Sequence, residues 1–326
     1  MGNEHDNESR KERYKQHDKH LETQSKKSPF NVLAPRFTLE RDVVLPSISK
    51  MHIDEALIKI NHHKTIYIDW GFEEVDPVGK GIVLNFFGRP GTGKTLTAEA
   101  LAGTLKKPFI SLGIAEIESK FMGETSKNIQ TVFALAKEYD AVIFFDEADT
   151  LLGKRLSSVT QGVDNEVNSM RSTMLIELER FDGVAIFATN FAENYDKAFE
   201  SRISHHIHFE LPDFNGRKAI FDKMFVPKIP LAIDRQTLIT EVASITEGFS
   251  GRDMRTCMRL SLPKVVLSKQ NGDVNAGLNI EHLAESVEQI KKAKKEIGKE
   301  GIGKTISDSE MNLSRSLLGI KNKGEE

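Results

Sequence analysis

The pattern of hydrophobic and polar positions divides the chain into a polar start, a central region of alternating apolar runs and helical stretches, and a helical end. From residue 80 onwards, five short runs are rich in apolar residues: Ile82–Phe87, Pro108–Leu112, Ala141–Phe145, Val184–Thr189 and His206–Leu211. Four are continuously apolar, which is typical of strands buried on both faces of a sheet, and the fifth alternates as an edge strand does. Helical stretches separate the runs, so the pattern predicts an α/β fold with a parallel five-stranded sheet between helices.

After Pro212 the strand pattern stops, and four helical stretches predict a small all-helical domain over Gly216–Phe225, Thr237–Ala243, Gly251–Leu267 and Ile280–Ile297. Residues 1–28 carry almost no apolar side chains and cannot offset their ordering entropy. The predicted organisation is a disordered polar tail (1–28), an N-terminal extension (29–79) that is extended over 29–50, a large α/β subdomain (80–212), a helical domain (213–297) and a disordered tail (298–326).

Composition narrows the functional classes. The chain has 326 residues, 39% of them hydrophobic, and a formal net charge of −3, which gives no sign of a nucleic-acid or membrane partner. No apolar run approaches the ~18 residues of a membrane helix. The single cysteine, Cys257, excludes an internal disulfide and suits a reducing compartment. We therefore expect a cytoplasmic protein.

Residues 88–95 form the phosphate-loop pattern G-x-x-x-x-G-K-[ST] between a predicted strand and a predicted helix, which is the setting that this loop requires. Its glycines allow the backbone to surround a polyphosphate, Lys94 reaches the phosphates and Thr95 ligates Mg²⁺. The residues expected to contact the nucleotide are Gly88, Pro90, Gly91, Thr92, Gly93, Lys94, Thr95 and Leu96. Residues 298–305 match the same pattern, but no strand precedes them, so we do not expect them to bind phosphate.

Polar residues follow two of the predicted strands. The third run ends in Asp146 and Glu147, where Asp146 is expected to hold Mg²⁺ and Glu147 to act as general base toward the attacking water. Asn190 follows the fourth run at the sheet edge where ligands bind, and is expected to orient that water. The alternatives are carboxylates at a helix N-terminus and a helix-capping asparagine.

With these motifs in this order, residues 50–297 resemble the AAA+ ATPases, AAA subgroup, with a single ATPase module. The resemblance implies ATP and Mg²⁺ as cofactors, a helical lid after the α/β subdomain, and a homo-oligomeric ring, expected to be a hexamer. It also makes residues 120–123 similar to the family's pore loop, which grips an extended polypeptide through an aromatic and a hydrophobic side chain: Lys120, Phe121, Met122 and Gly123. The alternative for this segment is a phenylalanine–methionine pair in the core.

Three further residues take their expected roles from the same resemblance. Arg202 matches the first arginine finger, which would reach the site of the neighbouring subunit, and His205 stands where the second is expected. A histidine is only partly charged at neutral pH, so His205 departs from the pattern. Arg252 matches the sensor-2 position at the start of a lid helix. Surface arginines with no nucleotide contact are the alternative for Arg202 and Arg252.

The function implied is that of a Mg²⁺- and ATP-dependent ring ATPase that remodels, unfolds or disassembles a protein by threading it through a central pore. Its partners would be copies of itself and a protein substrate or adaptor, with neither nucleic acid nor membrane. Two alternatives remain open. A nucleic-acid motor or loader would need basic stripes, which the net charge does not favour. A nucleotide-controlled scaffold with little turnover would not need Glu147, Asn190 and Arg202 together.

Overall fold

The computed structural model describes residues 30–76, 81–117, 124–153, 162–190, 195–273 and 276–302. Two compact units are distinguished within the chain. The first unit holds the residues up to Lys223 together with Gly248–Arg252, and the second holds Met224–Glu247 and the residues from Asp253 onwards.

The first unit is built on the predicted sheet. Its strands are β1 (Ile82–Phe87), β2 (Phe109–Gly113), β3 (Val142–Asp146), β4 (Val184–Thr189) and β5 (His205–His208). They pair in parallel in the order β2-β3-β4-β1-β5, so the predicted fold class is confirmed and β5 is the expected edge strand. The fifth strand was predicted to run to Leu211, but its partner β1 gives way to the phosphate loop at Gly88, and regular pairing ends at His208 opposite Phe87.

Both faces of the sheet are covered, as the apolar strands require. On one face Leu84 and Phe86 of β1 pack with Leu101, and on the other Phe145 and Phe187 lie in a second cluster. The α-helices described in this unit, in chain order, are α1 (Leu39–Asp42), α2 (Ser47–Asn61), α3 (Lys94–Leu105), α4 (Ile114–Ile117), α5 (Glu124–Tyr139), α6 (Asp149–Leu152), α7 (Gly162–Arg180), α8 (Lys197–Glu200) and α9 (Phe214–Met224, whose last residue belongs to the second unit). A π-helix (Thr65–Asp69) and a 3-10 helix (Phe72–Glu74) follow α2.

The N-terminal extension is less extended than its prolines indicated. Two parts of the segment predicted to be extended are helical: residues 39–42 form α1, and residues 47–50 form the first turn of α2. Pro46 lies at the N-cap of α2, where its carbonyl accepts the Lys50 N–H and its own missing N–H breaks no helical hydrogen bond. Before it, the chain crosses the edge of β2, where Leu33 and Phe109 exchange two backbone hydrogen bonds. Arg36 then donates hydrogen bonds to the Glu99 carboxylate of α3 from its backbone N–H and its guanidinium. The extension is therefore fastened to the helix that follows the phosphate loop.

The second unit is helical, as predicted. It contains α10 (Arg235–Ile245), most of α11 (Gly251–Gln270) and α12 (Ile280–Ile302), and Leu238, Cys257 and Leu283 are fully buried in it. The sequence predicts that α12 ends at residue 297, but the helix continues to Ile302. This extension includes two glycines, each of which is about 1 kcal/mol less favourable than alanine within a helix. The lysines and glutamates before them are good helix formers, which favours this continuation. Within the described ranges, no helix has both the length and the apolar character needed to cross a bilayer.

Candidate nucleotide site

The phosphate loop joins β1 to α3, and its glycines adopt conformations that other residues avoid. Gly88, Gly91 and Gly93 have positive φ angles of 140°, 81° and 107°. A Cβ atom on Gly88 would lie 2.3 Å from the carbonyl oxygen of Phe209, and one on Gly91 would lie 2.8 Å from Cβ of Arg252. Both the backbone conformation and the close packing therefore require glycine at the first two positions.

Lys94 is the buried cation of the loop. Its side chain donates hydrogen bonds to the carbonyl oxygens of Gly88 (2.6 Å) and Arg89 (3.2 Å) and to Oδ1 of Asn190 (3.0 Å). Burial lowers the pKa of Lys94, whereas the nearby charges of Asp146 and Asp149 oppose that shift. An ammonium group in this position, among glycine amides, is suited to bind phosphate oxygens.

Thr95 and Asp146 meet at the sheet edge. The Thr95 hydroxyl donates to Oδ2 of Asp146 at 3.1 Å. Two side-chain oxygens, one from α3 and one from the end of β3, are therefore close enough to bind the same ion. Magnesium prefers oxygen ligands and usually takes one or two carboxylates besides water and substrate phosphates. The pair therefore fits the Mg²⁺ role that the sequence predicts for both residues.

Glu147 is held in a strained backbone conformation. It is exposed and has a φ of +53°, in the left-handed region that residues other than glycine seldom adopt. The turn is fixed on both sides, since the Glu147 N–H donates to Oδ1 of Asp146 and the Ala148 N–H donates to the carbonyl of Ala188 in β4. Such strain persists only where the surroundings impose it, and it is concentrated at functional sites.

Asp149 is a member of the site that the sequence reasoning missed. Its Oδ1 accepts the backbone N–H of Asn190 at 3.0 Å, so the acid after β3 fixes the residue after β4. Asn190 in turn accepts a hydrogen bond from Lys94. The signal was available, because Asp149 is the third acid in the run that begins at Asp146.

Comparisons with known proteins identify the kind of domain that contains these residues. Residues 84–211 match the model of the ATPase family associated with various cellular activities (AAA). This region of the chain is a domain of the AAA+ ATPase superfamily. Its AAA domain is similar to the proteasome-activating nucleotidase of Methanopyrus kandleri, with 38% identity over 54% of this chain and 41% of that protein. It is also similar to the cell division cycle protein 48 homolog of Archaeoglobus fulgidus, with 36% identity over 66% of this chain and 29% of that protein.

This chain thus spans less than half the length of these two curated relatives. Among solved structures, a crystal structure of the FIGL-1 AAA domain in complex with ADP has the same fold. Its TM-score is 0.59 at 20% identity, and the match covers 92% of this chain and 95% of that one. The fold is therefore supported by a comparison of structures as well as by the motifs.

Arg252 lies beside the phosphate loop of this AAA domain. Its backbone N–H donates to the carbonyl of Gly91 at 3.1 Å, and its charge contributes to lowering the pKa of Lys94. In the same loop the Thr92 hydroxyl donates a hydrogen bond to the carbonyl of Arg89. Of the other residues predicted to contact the nucleotide, Pro90 is exposed and Leu96 is half-buried. The structure therefore brings Arg252 to the predicted nucleotide residues within the first unit.

Arg202 lies apart from these contacts. Its guanidinium donates to the carbonyl of Ala198 and to Oε2 of Glu179, and neither partner belongs to the phosphate loop. Burial lowers the pKa of His205, so this residue is mainly neutral at pH 7 and is poorly suited to replace a second arginine finger. The predicted pore-loop residues 120–123 lie outside the described residues.

Proposed function

We propose that this chain is a Mg²⁺-dependent ATP hydrolase whose site is formed by Lys94, Thr95, Asp146, Glu147 and Asn190. The observation that carries the proposal is the convergence of three chain segments: the Thr95–Asp146 and Lys94–Asn190 contacts join the phosphate loop to the ends of β3 and β4. Phosphoryl transfer depends mainly on positioning and on charge neutralisation, and this convergence supplies both.

Each side chain has a distinct task. Lys94 neutralises charge on the phosphates of ATP, and the Asn190 side chain orients the attacking water. Glu147, exposed at the edge of the site, accepts a proton as that water attacks the γ-phosphorus and ADP leaves. Mg²⁺, held by Thr95 and Asp146, would neutralise the developing charge on the phosphate oxygens.

The ATPase acts, in this proposal, as a homo-oligomeric ring that remodels protein substrates in the cytoplasm. The supporting observations are the relatives, one of which is named as a proteasome-activating nucleotidase, and the aromatic–hydrophobic–glycine sequence at 121–123. We take the ring to be a hexamer, in which Arg202 of one subunit completes the site of the next.

A substrate trap tests this function. Glu147→Gln removes the base but keeps the loop and the metal ligands, so the variant should bind ATP and hydrolyse almost none. Affinity purification of the ATP-loaded trap, followed by mass spectrometry and nucleic-acid staining, should recover protein clients. Recovery of DNA or RNA instead would favour a nucleic-acid motor, and turnover near the wild-type rate would remove Glu147 as the base.

Two further variants separate hydrolysis from remodelling and from assembly. Phe121→Ala should keep basal ATPase activity but fail to unfold a model substrate, and unchanged unfolding would contradict the pore-loop assignment. Arg202→Ala should lower kcat by roughly 10³–10⁵ with similar ATP affinity. Mixed rings of Arg202→Ala and Glu147→Gln subunits should recover part of the activity. In such rings the Arg202 of a Glu147→Gln subunit can complete the site of a neighbouring Arg202→Ala subunit, which still has its Glu147.

A further inference from the structure

Both terminal nitrogens of Arg202 are engaged within its own subunit. One donates to the carbonyl oxygen of Ala198 at 2.9 Å, and the other donates to Oε2 of Glu179 at 3.1 Å. Glu179 lies in the last turn of α7, 23 residues earlier in the chain. The side chains of the pair remain 32% and 49% exposed, for Arg202 and Glu179 respectively. The guanidinium is therefore oriented from two directions and is still accessible from solvent.

The backbone that carries Arg202 is fixed more firmly than its side chain. Asp196 caps α8 by accepting the N–H of Ala198, and its own N–H donates to the carbonyl of Leu152. Phe199 is fully buried, and Ile203 is 9% exposed. The freedom left to this segment is the rotamer freedom of a long arginine side chain, which is large in the absence of a partner.

We propose that Glu179 is a positioning residue for Arg202. The carboxylate, together with the Ala198 carbonyl, holds the guanidinium fork in one orientation before a neighbouring subunit presents its nucleotide. This inference rests on the proposed role of Arg202 across the subunit boundary. It adds a residue that belongs to none of the nucleotide-site motifs and that lies on a different helix.

The weakness of the contact suits this role. An ion pair as exposed as this one contributes little to stability, so the carboxylate can give up one nitrogen of Arg202 to a phosphate without a large loss. The hydrogen bond to Ala198 can persist meanwhile and keep the side chain oriented. Ordering a flexible side chain in advance removes an entropy cost that corresponds to a factor of about 2–10 in rate.

The test compares the kcat and KM of the assembled full-length ATPase across three variants. Glu179→Ala should lower kcat about 2–10-fold and leave the KM for ATP within about twofold, because among the described residues Glu179 pairs with Arg202 and with no residue predicted to contact the nucleotide. Glu179→Gln keeps an amide oxygen that can accept from Arg202, so its kcat should stay closer to wild type. Glu177→Ala is the matched control, since the side chain of Glu177 makes no hydrogen bond or ion pair among the described residues.

Each variant is also made in the Arg202→Ala background, where Glu179→Ala should have no further effect on kcat. Circular dichroism of all variants establishes that α7 folds, and alanine is favourable in a helix. If Arg202→Ala alone leaves kcat unchanged, the proposed role of Arg202 fails and there is nothing for Glu179 to position. If Arg202→Ala lowers kcat but Glu179→Ala behaves like Glu177→Ala, raises kcat, or lowers it equally in both backgrounds, the positioning role is refuted while the role of Arg202 stands.

Discussion

The left-handed backbone at Glu147 allows the stability and the activity of this protein to be changed in opposite directions. Replacing Glu147 by glycine removes the carboxylate and also relieves the conformation at φ +53°. Replacing it by glutamine removes the charge but keeps the Cβ atom and its strain. Because the left-handed conformation is strained for residues other than glycine, Glu147→Gly should be more stable than Glu147→Gln, and neither should hydrolyse ATP.

The size of the stability difference between Glu147→Gly and Glu147→Gln follows from two opposing contributions to the free energy of unfolding. A residue other than glycine in the left-handed region costs about 1–2 kcal/mol, which glycine avoids. Glycine also makes the unfolded chain more flexible, which offsets about 0.4–1 kcal/mol of that gain. The net stabilisation should therefore be about 0.5–1 kcal/mol, or an increase in Tm of about 0.7–1.5 °C for a chain of 326 residues.

Thermal unfolding without nucleotide, followed by circular dichroism or calorimetry, measures this difference. Lys106→Gly is the matched control, because Lys106 has a φ of +57° at the C-terminus of α3, where glycine is favoured, and has no proposed role in chemistry. That variant should gain similar stability and keep full ATPase activity. Equal Tm values for Glu147→Gly and Glu147→Gln, with a gain for Lys106→Gly, would show that the turn at Glu147 stores no strain.

Three other variants or probes report on separate parts of the structure. Asp149→Ala should lower kcat about 10–100-fold by releasing the Asn190 N–H, whereas Asp149→Asn, which keeps an acceptor, should retain most activity in the same assay. Gly91→Ala should abolish nucleotide binding in a calorimetric titration, since its Cβ would meet Arg252. Burial raises the pKa of Cys257 to about 11, so Ellman's reagent at pH 8 should react with it only after unfolding.

The sheet could be predicted because its signal is local. A strand covered on both faces must be apolar throughout, and β1 and β4 therefore stand out in the sequence. The phosphate loop was equally clear, because its glycines are required by positive φ angles and close contacts within a few residues. Asp146 and Glu147 could be named as candidates because they directly follow β3, which the apolar pattern predicts.

Features that depend on long-range contacts could not be predicted in this way. The β5 strand ends at His208 because its partner strand turns away, and nothing near His208 in the sequence records that event. The pairing of Arg202 with Glu179 joins a loop to a distant helix, and either residue alone resembles an ordinary surface charge. Similarly, Asp149 was present in a recognised motif, but its role follows only from the position of Asn190.

The contacts of Asn190 suggest how its side chain could respond when a phosphate binds beside Lys94. Its backbone is fixed by Asp149, so the residue cannot move away as a whole when its surroundings change. Its side-chain oxygen, however, accepts from Lys94, whose other acceptors are two carbonyls of the loop. We therefore expect a phosphate that draws Lys94 toward itself to weaken the bond to Asn190 and to leave the Asn190 side-chain oxygen available for water. Because the backbone anchor and the responsive side chain belong to the same residue, loss of Asp149 should disturb this response.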